Sequence, residues 1–196
     1  LGRGTEQAPP YGPFVDAVRG ALPLARARCP EVLVEYGPLL SKLIPELADG
    51  RPAPALEPDQ EKILLQSAFS AVILGIARQG AVLVLEDWHL ADGLSQDALT
   101  YLLRQADGVP LLAVGTARSA ADARGQVLEL ASLTPAESAG MACSMLGVEA
   151  LPEGLALQLH EAANGVPHVI AALLDHLLRT GALAKAQGKW RLPAQL

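Results

Sequence analysis

Two adjacent carboxylates, Glu86 and Asp87, follow directly after the apolar run AVLVL at residues 81–85. A continuous apolar run of this length is typical of a β-strand that is buried on both faces. In open α/β sheets, ligands bind at the carboxyl ends of the strands. The pattern therefore predicts a strand that ends in a Mg²⁺ ligand and in an acid that orients a water molecule. The alternative is that the two acids cap the following turn or face solvent.

A second apolar run, VPLLAVGT at residues 109–116, predicts another buried strand. Thr116 and Arg118 would then lie at the same edge of the sheet as the two carboxylates. A hydroxyl and a guanidinium at this position could contact a γ-phosphate, and the guanidinium could stabilise developing charge. The alternative is that Arg118 simply forms an ion pair with one of the two acids.

The glycine-rich loop that a nucleotide-hydrolysing enzyme uses for the phosphates is missing from the sequence. No G-x-x-x-x-G-K-[ST] pattern occurs, and the single Gly-Lys pair, Gly188-Lys189, is followed by Trp190. The backbone N–H groups and the lysine of such a loop normally bind the β- and γ-phosphates. We therefore expect that this chain by itself does not hydrolyse ATP.

The composition is that of a folded, acidic protein. Of the 196 residues, 51% are hydrophobic and only 4% are aromatic, so a large core must consist mainly of Leu, Ala, Val and Ile. A formal net charge of −6 argues against a nucleic-acid-binding surface on this segment. Cys29 and Cys143 have no zinc-site spacing, and the apolar run at 69–77 is too short to span a membrane. We expect a cytoplasmic protein with reduced cysteines and no membrane partner.

Hydrophobic spacing predicts helices around the two strands. A parallel sheet covered on both faces, and hence an α/β fold, follows from the alternation of helices and strands. We expect a core over residues 1–131 and a small helical subdomain over residues 132–196. The predicted helices cover about residues 13–28, 30–47 with an interruption near Gly37-Pro38, 59–78, 95–106 with Ser95 as N-cap, 134–147 with a capping box at Thr134 and Glu137, 152–163 and 167–180. A third strand is predicted at 127–130 and a hairpin at 182–192 across Gln187-Gly188.

Five segments resemble, in the correct order, motifs of the bacterial signal-transduction ATPases of the STAND class. These belong to the AAA-like P-loop NTPases and occur in large LuxR-type regulators and beside adenylate cyclase domains. VLVLEDWHLAD resembles the Walker B stretch of that family, and LLAVGTARS resembles its sensor-1 strand. The complete set is PYGPFVDAVRGAL (10–22), VLVLEDWHLAD (82–92), LLAVGTARS (111–119), LASLTPAESAGMACSMLG (130–147) and ANGVPHVIAALLDHLLRTGAL (163–183), with GKWRLP (188–193) after it.

The resemblance implies a P-loop NTPase-like core, without its first strand and phosphate loop, followed by a small helical lid. It implies that Glu86 and Asp87 bind Mg²⁺ and that Asp87 activates the water. Thr116 and Arg118 would form the sensor pair for ATP, so the catalytic residues would be Glu86, Asp87 and Arg118.

The resemblance also implies that Gly165 and Pro167 form a G-x-P turn of the lid against the adenine. Four positions differ from the family pattern. Trp88 and Leu90 exchange the usual Leu and Trp, which changes packing more than chemistry. Val166 stands inside G-x-P, so only the flanking Gly and Pro match, and His168 stands where the family usually has Leu.

The function implied is that of a fragment of a nucleotide-dependent switch, which binds ATP and Mg²⁺ with the help of an upstream segment. By the resemblance, the absent first strand belongs in the middle of the sheet. Its absence should leave an unpaired strand edge, so we expect an incomplete sheet, a rearrangement or a homo-oligomer formed through that edge. The alternative is a catalytically inactive NTPase-like scaffold or protein-interaction module.

Overall fold

A computed structural model describes residues 2–3, 9–119, 125–151, 154–186 and 189–191 of the chain. It has a mixed helix and strand composition, and its contacts divide the chain into two compact units. The first unit is Leu1–Gly125 and the second unit is Gln126–Leu196. The boundary predicted from the sequence is residue 131.

The first unit contains a parallel sheet of three described strands, which lie in the order β1 (Gly2–Arg3), β2 (Ala81–Glu86) and β3 (Leu111–Gly115). Residue Leu85 of β2 lies opposite Gly2 of β1 and opposite Gly115 of β3, so the carboxyl ends of the strands meet at one edge. The mixed α/β class and the parallel pairing of the two predicted strands are confirmed. The elements are β1 (Gly2–Arg3), α1 (Gly12–Arg28), α2 (Pro30–Leu40), a 3₁₀ turn (Pro45–Leu47), α3 (Pro58–Ala77), β2 (Ala81–Glu86), a 3₁₀ turn (Trp88–Leu90), α4 (Gly93–Gln105) and β3 (Leu111–Gly115).

One face of this sheet is buried by helices. Leu83 and Leu85 of β2 belong to the same buried cluster as residues of α1, α3 and α4. The rings of Phe14 and Phe69, which join α1 to α3, have centroids 5.7 Å apart. Cys29 is buried in this cluster, and burial raises the pKa of its thiol.

The prediction that β2 and β3 are buried on both faces is wrong for the described part of the chain. Val82 is 62% exposed, Leu112 is 60% exposed and Val114 is 40% exposed. Successive side chains of a strand face opposite sides of the sheet, so these residues alternate with the buried ones. The helices that share the core of the first unit pack against only one face, and an apolar run alone does not reveal this.

The outer edge of β3 has no strand partner among the described residues. Thr116 N–H donates to the Leu85 carbonyl (3.0 Å), and Ala81 N–H donates to the Pro110 carbonyl (3.1 Å). In a parallel ladder the bonds of alternate residues point to opposite sides, so the backbone groups of Ala113 and Gly115 face away from β2. Every open sheet ends in two edge strands, so the expected loss of a central strand stays a prediction.

Among its described residues, the second unit contains three helices and a hairpin. The helices are α5 (Pro135–Leu146), α6 (Leu155–Ala163) and α7 (Pro167–Arg179), and the hairpin pairs β4 (Ala184–Ala186) with β5 (Lys189–Arg191) in antiparallel fashion. The predicted turn residues Gln187 and Gly188 lie outside the described residues. The core of this unit is formed by buried aliphatic side chains, among them Leu155, Leu159, Ile170 and Leu174.

The predicted capping box of α5 is confirmed. Thr134 Oγ1 accepts the N–H of Glu137 at 3.3 Å, and Glu137 Oε2 accepts the N–H of Thr134 at 2.8 Å. These bonds, to the Thr134 backbone first and to its hydroxyl second, lower the pKa of the Glu137 carboxyl. The helix ends at Leu146, and its C-cap Gly147 has the left-handed conformation that favours glycine (φ 63°).

Three smaller predictions are wrong. The N-cap of α4 is Asp92 and not Ser95, and α2 continues through Gly37 and Pro38 to end at Leu40. Residues 127–130 form no strand, and Leu128 and Leu130 are 82% and 89% exposed. A strand is stable only beside a partner, and no described strand pairs with this segment. None of the described helices is both long enough and apolar enough to cross a membrane.

Candidate functional site

The two strand ends that carry the predicted site residues are joined by hydrogen bonds. Thr116 follows β3, and its Oγ1 accepts the N–H of Asp87 at 3.1 Å. The Thr116 carbonyl accepts the N–H of Trp88 at 2.8 Å, and the Thr116 N–H donates to the Leu85 carbonyl at 3.0 Å. The structure therefore brings Asp87 and Thr116 into direct contact.

Asp87 has a left-handed backbone conformation, with φ 51° and ψ 40°. Such a conformation is uncommon for a residue other than glycine, and aspartate and asparagine tolerate it better than most. Strained residues of this kind occur often at functional sites, where neighbouring contacts hold them in place. In this chain the contacts to Thr116 and the 3₁₀ turn that follows provide that support.

Glu86, Asp87 and Arg118 are placed at the carboxyl end of the sheet. Glu86 is the last residue of β2 and is half-buried, while the side chains of Asp87, Thr116 and Arg118 are exposed. The polar groups named from the sequence thus occur on two neighbouring parallel strands, where open α/β sheets bind ligands.

The donor set at this strand tip fits Mg²⁺ in part. Protein sites usually bind Mg²⁺ through one or two carboxylates, with substrate phosphates and water completing the octahedron. Glu86 and Asp87 could supply such carboxylates. In the part of the chain that the structure describes, no group of three His, Cys, Asp or Glu side chains could hold a metal ion. The described residues thus offer Mg²⁺ at most the two carboxylates of Glu86 and Asp87 at this tip, and water or phosphate oxygens would complete the coordination.

Asp92 has a structural role that the sequence reasoning missed. Its Oδ2 accepts the N–H groups of Leu94 (3.1 Å) and Ser95 (3.2 Å), and the Tyr11 N–H lies 3.5 Å from the same oxygen. The carboxylate thus caps α4 and ties it to the start of α1. The signal was present as an Asp before Gly-Leu-Ser, since Asp is a strong N-cap residue.

Tyr11 is buried and does not belong to the exposed site. Its hydroxyl donates to the Lys62 carbonyl at 3.4 Å, and its ring lies 5.4 Å from that of Phe69. Burial, and then the negative charge of Asp92, raise the pKa of Tyr11 to about 12. Packing in the core of the first unit thus accounts for the aromatic residues Tyr11 and Phe14 of the PYGPF segment at 10–14.

An open depression of about 570 Å³ lies beside the N-terminus of α4. Its Lys62 Nζ is 2.7 Å from Asp97 Oδ2, so this cation already has a partner. The depression is lined by Pro10, Lys62, Asp92, Gly93, Leu94, Gln96 and Asp97, and so it does not coincide with the strand tip.

Gly165, in the second unit, is fixed by close packing. It is buried and has φ 68°, and a Cβ atom at this position would lie 2.3 Å from the Leu133 carbonyl oxygen. Its own carbonyl accepts the Leu133 N–H at 2.8 Å, and its N–H donates to the His160 carbonyl at 3.2 Å. These contacts give a structural reason for the glycine. Pro167, the first residue of α7, is exposed.

A serine–histidine pair occurs beside this turn. Ser138 Oγ lies 3.0 Å from Nδ1 of His160. Ser138 is 1% exposed, so a substrate could not reach its hydroxyl. The pair therefore joins α5 to α6 rather than forming a nucleophilic site.

Comparison with known proteins provides no neighbour: no family model matches this chain, and neither a curated protein nor a solved structure matches it. The motifs in the sequence and the geometry of the strand tip are therefore the features of this chain that bear on its function.

Proposed function

We propose that this chain is part of an ATP-binding signal-transduction module of the STAND type, in which Mg·ATP acts as a switch. The observation that supports this most strongly is the hydrogen bond from Asp87 N–H to Thr116 Oγ1. It orders an acid and a hydroxyl together at the carboxyl end of two parallel strands, and the motif resemblance assigns both residues to the nucleotide.

Each residue of the tip has a role in this proposal. Glu86 and Asp87 bind Mg²⁺, and Asp87 also orients the attacking water. Arg118 and the hydroxyl of Thr116 contact the γ-phosphate. Mg²⁺, when bound, neutralises charge on the phosphates. Gly165 and Pro167 are proposed to contact the adenine, although packing alone accounts for the glycine.

The groups that hold the phosphates are proposed to come from a segment outside this chain, because the sequence has no glycine-rich loop with a lysine. The open edge of β3 would pair with a strand of that segment. A helix attached to that strand would cover Val82, Leu112 and Val114, which are exposed in this structure. ATP hydrolysis in the cytoplasm is then a property of the complete module, and the isolated chain is inactive.

A second candidate function is that of an inactive NTPase-like scaffold. The observation that favours it is the same open edge, where the backbone groups of Ala113 and Gly115 have no strand partner among the described residues and could pair with a strand of another protein or of a second copy. In this case the acids at the strand tip would have no nucleotide to bind.

Calorimetric titration of ATP, with and without Mg²⁺, distinguishes the two functions. The titration compares this chain with the longest natural polypeptide that contains it, and with Glu86→Gln and Asp87→Asn variants of that polypeptide. Mg²⁺-dependent binding by the longer polypeptide, weakened in both variants, is the expected result. Absence of binding by every form would overturn the proposal and favour the scaffold.

A further inference from the structure

We infer that Thr116 is a positioning residue, whose hydroxyl holds the backbone of Asp87 in its left-handed turn and couples that turn to a bound phosphate. The coupling to a phosphate rests on the proposed function, whereas the positioning does not. The sequence resemblance assigns Thr116 only to the nucleotide, so its action on Asp87 is a separate role.

The positioning follows from three hydrogen bonds made by one residue. The Thr116 backbone binds the Leu85 carbonyl and the Trp88 N–H, and its side chain binds the N–H of Asp87 between them. The two backbone bonds would form with almost any residue at this position. Only the bond to Oγ1 needs a hydroxyl, and it is the bond that reaches Asp87 itself.

The turn at Asp87 decides what two adjacent acids can do. If β2 continued through residue 87 as regular strand, Glu86 and Asp87 would face opposite sides of the sheet. One cation could not then be bound by both. The left-handed conformation of Asp87 ends that alternation directly after Glu86. The hydroxyl that stabilises the turn therefore controls the geometry of the acid pair.

The coupling follows from the hydrogen-bonding capacity of a hydroxyl. Thr116 Oγ1 uses a lone pair to accept from Asp87, which leaves its proton for an acceptor such as a phosphate oxygen. A hydroxyl that donates becomes a better acceptor, because hydrogen bonds in a chain polarise one another. A phosphate bound to Thr116 would therefore tighten the turn at Asp87.

The positioning is tested on this chain by NMR, without nucleotide. Backbone ¹³C shifts and amide exchange at Asp87 are compared in wild type, Thr116→Val, Thr116→Ala and Thr116→Ser. We expect exchange at Asp87 to become about tenfold faster in the Val and Ala variants and to return to the wild-type rate with Ser. Thr100→Val is the matched control, since Thr100 Oγ1 donates to the Gln96 carbonyl within α4 and, among the described residues, bonds to no part of the strand tip. Wild-type shifts and exchange at Asp87 in both Val and Ala variants would overturn the inference.

The coupling is tested in the longest natural polypeptide that contains these residues. With Mg·ATP present, exchange at Asp87 should slow further in wild type and in Thr116→Ser but not in Thr116→Val. If ATP binds but Asp87 does not respond in wild type, the coupling is wrong. If no form binds ATP, the proposed function fails, while the nucleotide-free NMR comparison still decides the positioning.

Discussion

Asp87 and Gly165 both lie in left-handed turns, but the two turns are maintained in different ways. At Gly165 (φ 68°) there is no room for a Cβ atom, because the Leu133 carbonyl oxygen would lie 2.3 Å from it. At Asp87 (φ 51°) the side chain is exposed, and the turn is held by the hydroxyl of Thr116. The turn at Gly165 therefore requires a residue without a side chain, whereas the turn at Asp87 exposes a carboxylate to solvent.

This difference separates the structural residues from the candidate functional residues. A glycine packed against backbone is needed for the second unit to fold, whatever that unit binds. The carboxylate of Asp87 is exposed, so the steric exclusion that explains the glycine at position 165 does not explain the aspartate at position 87. The comparison therefore supports a functional role at the strand tip more than at the Gly165 turn.

The largest effect is expected for Gly165→Ala. The new Cβ would overlap the Leu133 carbonyl, and alanine disfavours a positive φ, so the free energy of unfolding of the second unit should fall by about 2–4 kcal/mol. Urea unfolding measures this change.

Gly140→Ala provides the matched control. Gly140 lies in α5, and a Cβ atom added there would meet nothing within 4 Å, so alanine should be neutral or should stabilise the helix by about 0.5–1 kcal/mol. Equal changes in the free energy of unfolding for Gly165→Ala and Gly140→Ala would show that the Gly165 turn is not sterically fixed. The Gly165 and Asp87 turns would then no longer differ in what maintains them.

An intermediate effect is expected at Asp87. Asp87→Ala should destabilise the first unit by about 1 kcal/mol relative to Asp87→Gly, because glycine adopts the left-handed conformation without steric cost. Both variants lack the carboxylate, so the difference isolates the backbone strain. Denaturant unfolding of the two variants provides the measurement, and identical midpoints would mean that the turn is not left-handed in solution.

A similar or smaller effect is expected at the start of α5, which follows Leu133 directly. Thr134→Ala removes the capping box and should lower the stability of the second unit by about 1 kcal/mol. It should also increase amide exchange at Leu133, whose N–H binds Gly165. Unchanged exchange at Leu133 would mean that the cap and the Gly165 turn are independent.

The smallest effect is a pH dependence that comes from Glu137. Hydrogen bonds to Thr134 lower the pKa of Glu137 from its ordinary value of 4.5, so its ionised form is favoured in the folded state. The associated stability is present above that value and is lost as the pH falls through the lower folded pKa. Thermal unfolding of wild type and Glu137→Gln between neutral and acidic pH should show this difference shrinking at low pH. A constant difference would contradict it.

The fold was predictable from the sequence where local patterns specify the structure. The segment Thr134-Pro135-Ala136-Glu137 contains the N-cap, the first-turn proline and the acid of a capping box, and the apolar run at 81–85 is typical of a strand. The exposure of Val82 and Leu112 was not predictable, because it depends on which helices pack on which face. The segment at 127–130 was wrongly predicted for a similar reason, since its apolar residues could not reveal the absence of a partner strand.

The members of the candidate site were predictable, but their connection was not. Acids and hydroxyls after apolar runs identify Glu86, Asp87 and Thr116 from residue type alone. The left-handed conformation of Asp87 and its bond to Thr116 depend on the register between β2 and β3, which places Leu85 opposite Gly115. The cap that Asp92 gives to α4 was predictable from the local sequence, whereas the contact of its carboxylate with the Tyr11 N–H depends on residues far apart in sequence.

Single-turnover hydrolysis of Mg·ATP is the most direct test of the proposal that the strand tip acts on a nucleotide. The comparison is between wild type and Asp87→Asn, both in the longest natural polypeptide that contains this chain. Asparagine tolerates the left-handed turn but cannot act as a base. The proposal predicts that the variant binds Mg·ATP more weakly and, at saturating Mg·ATP, hydrolyses it more slowly by a factor of roughly 100 or more. Equal rates of hydrolysis in the two proteins would contradict it.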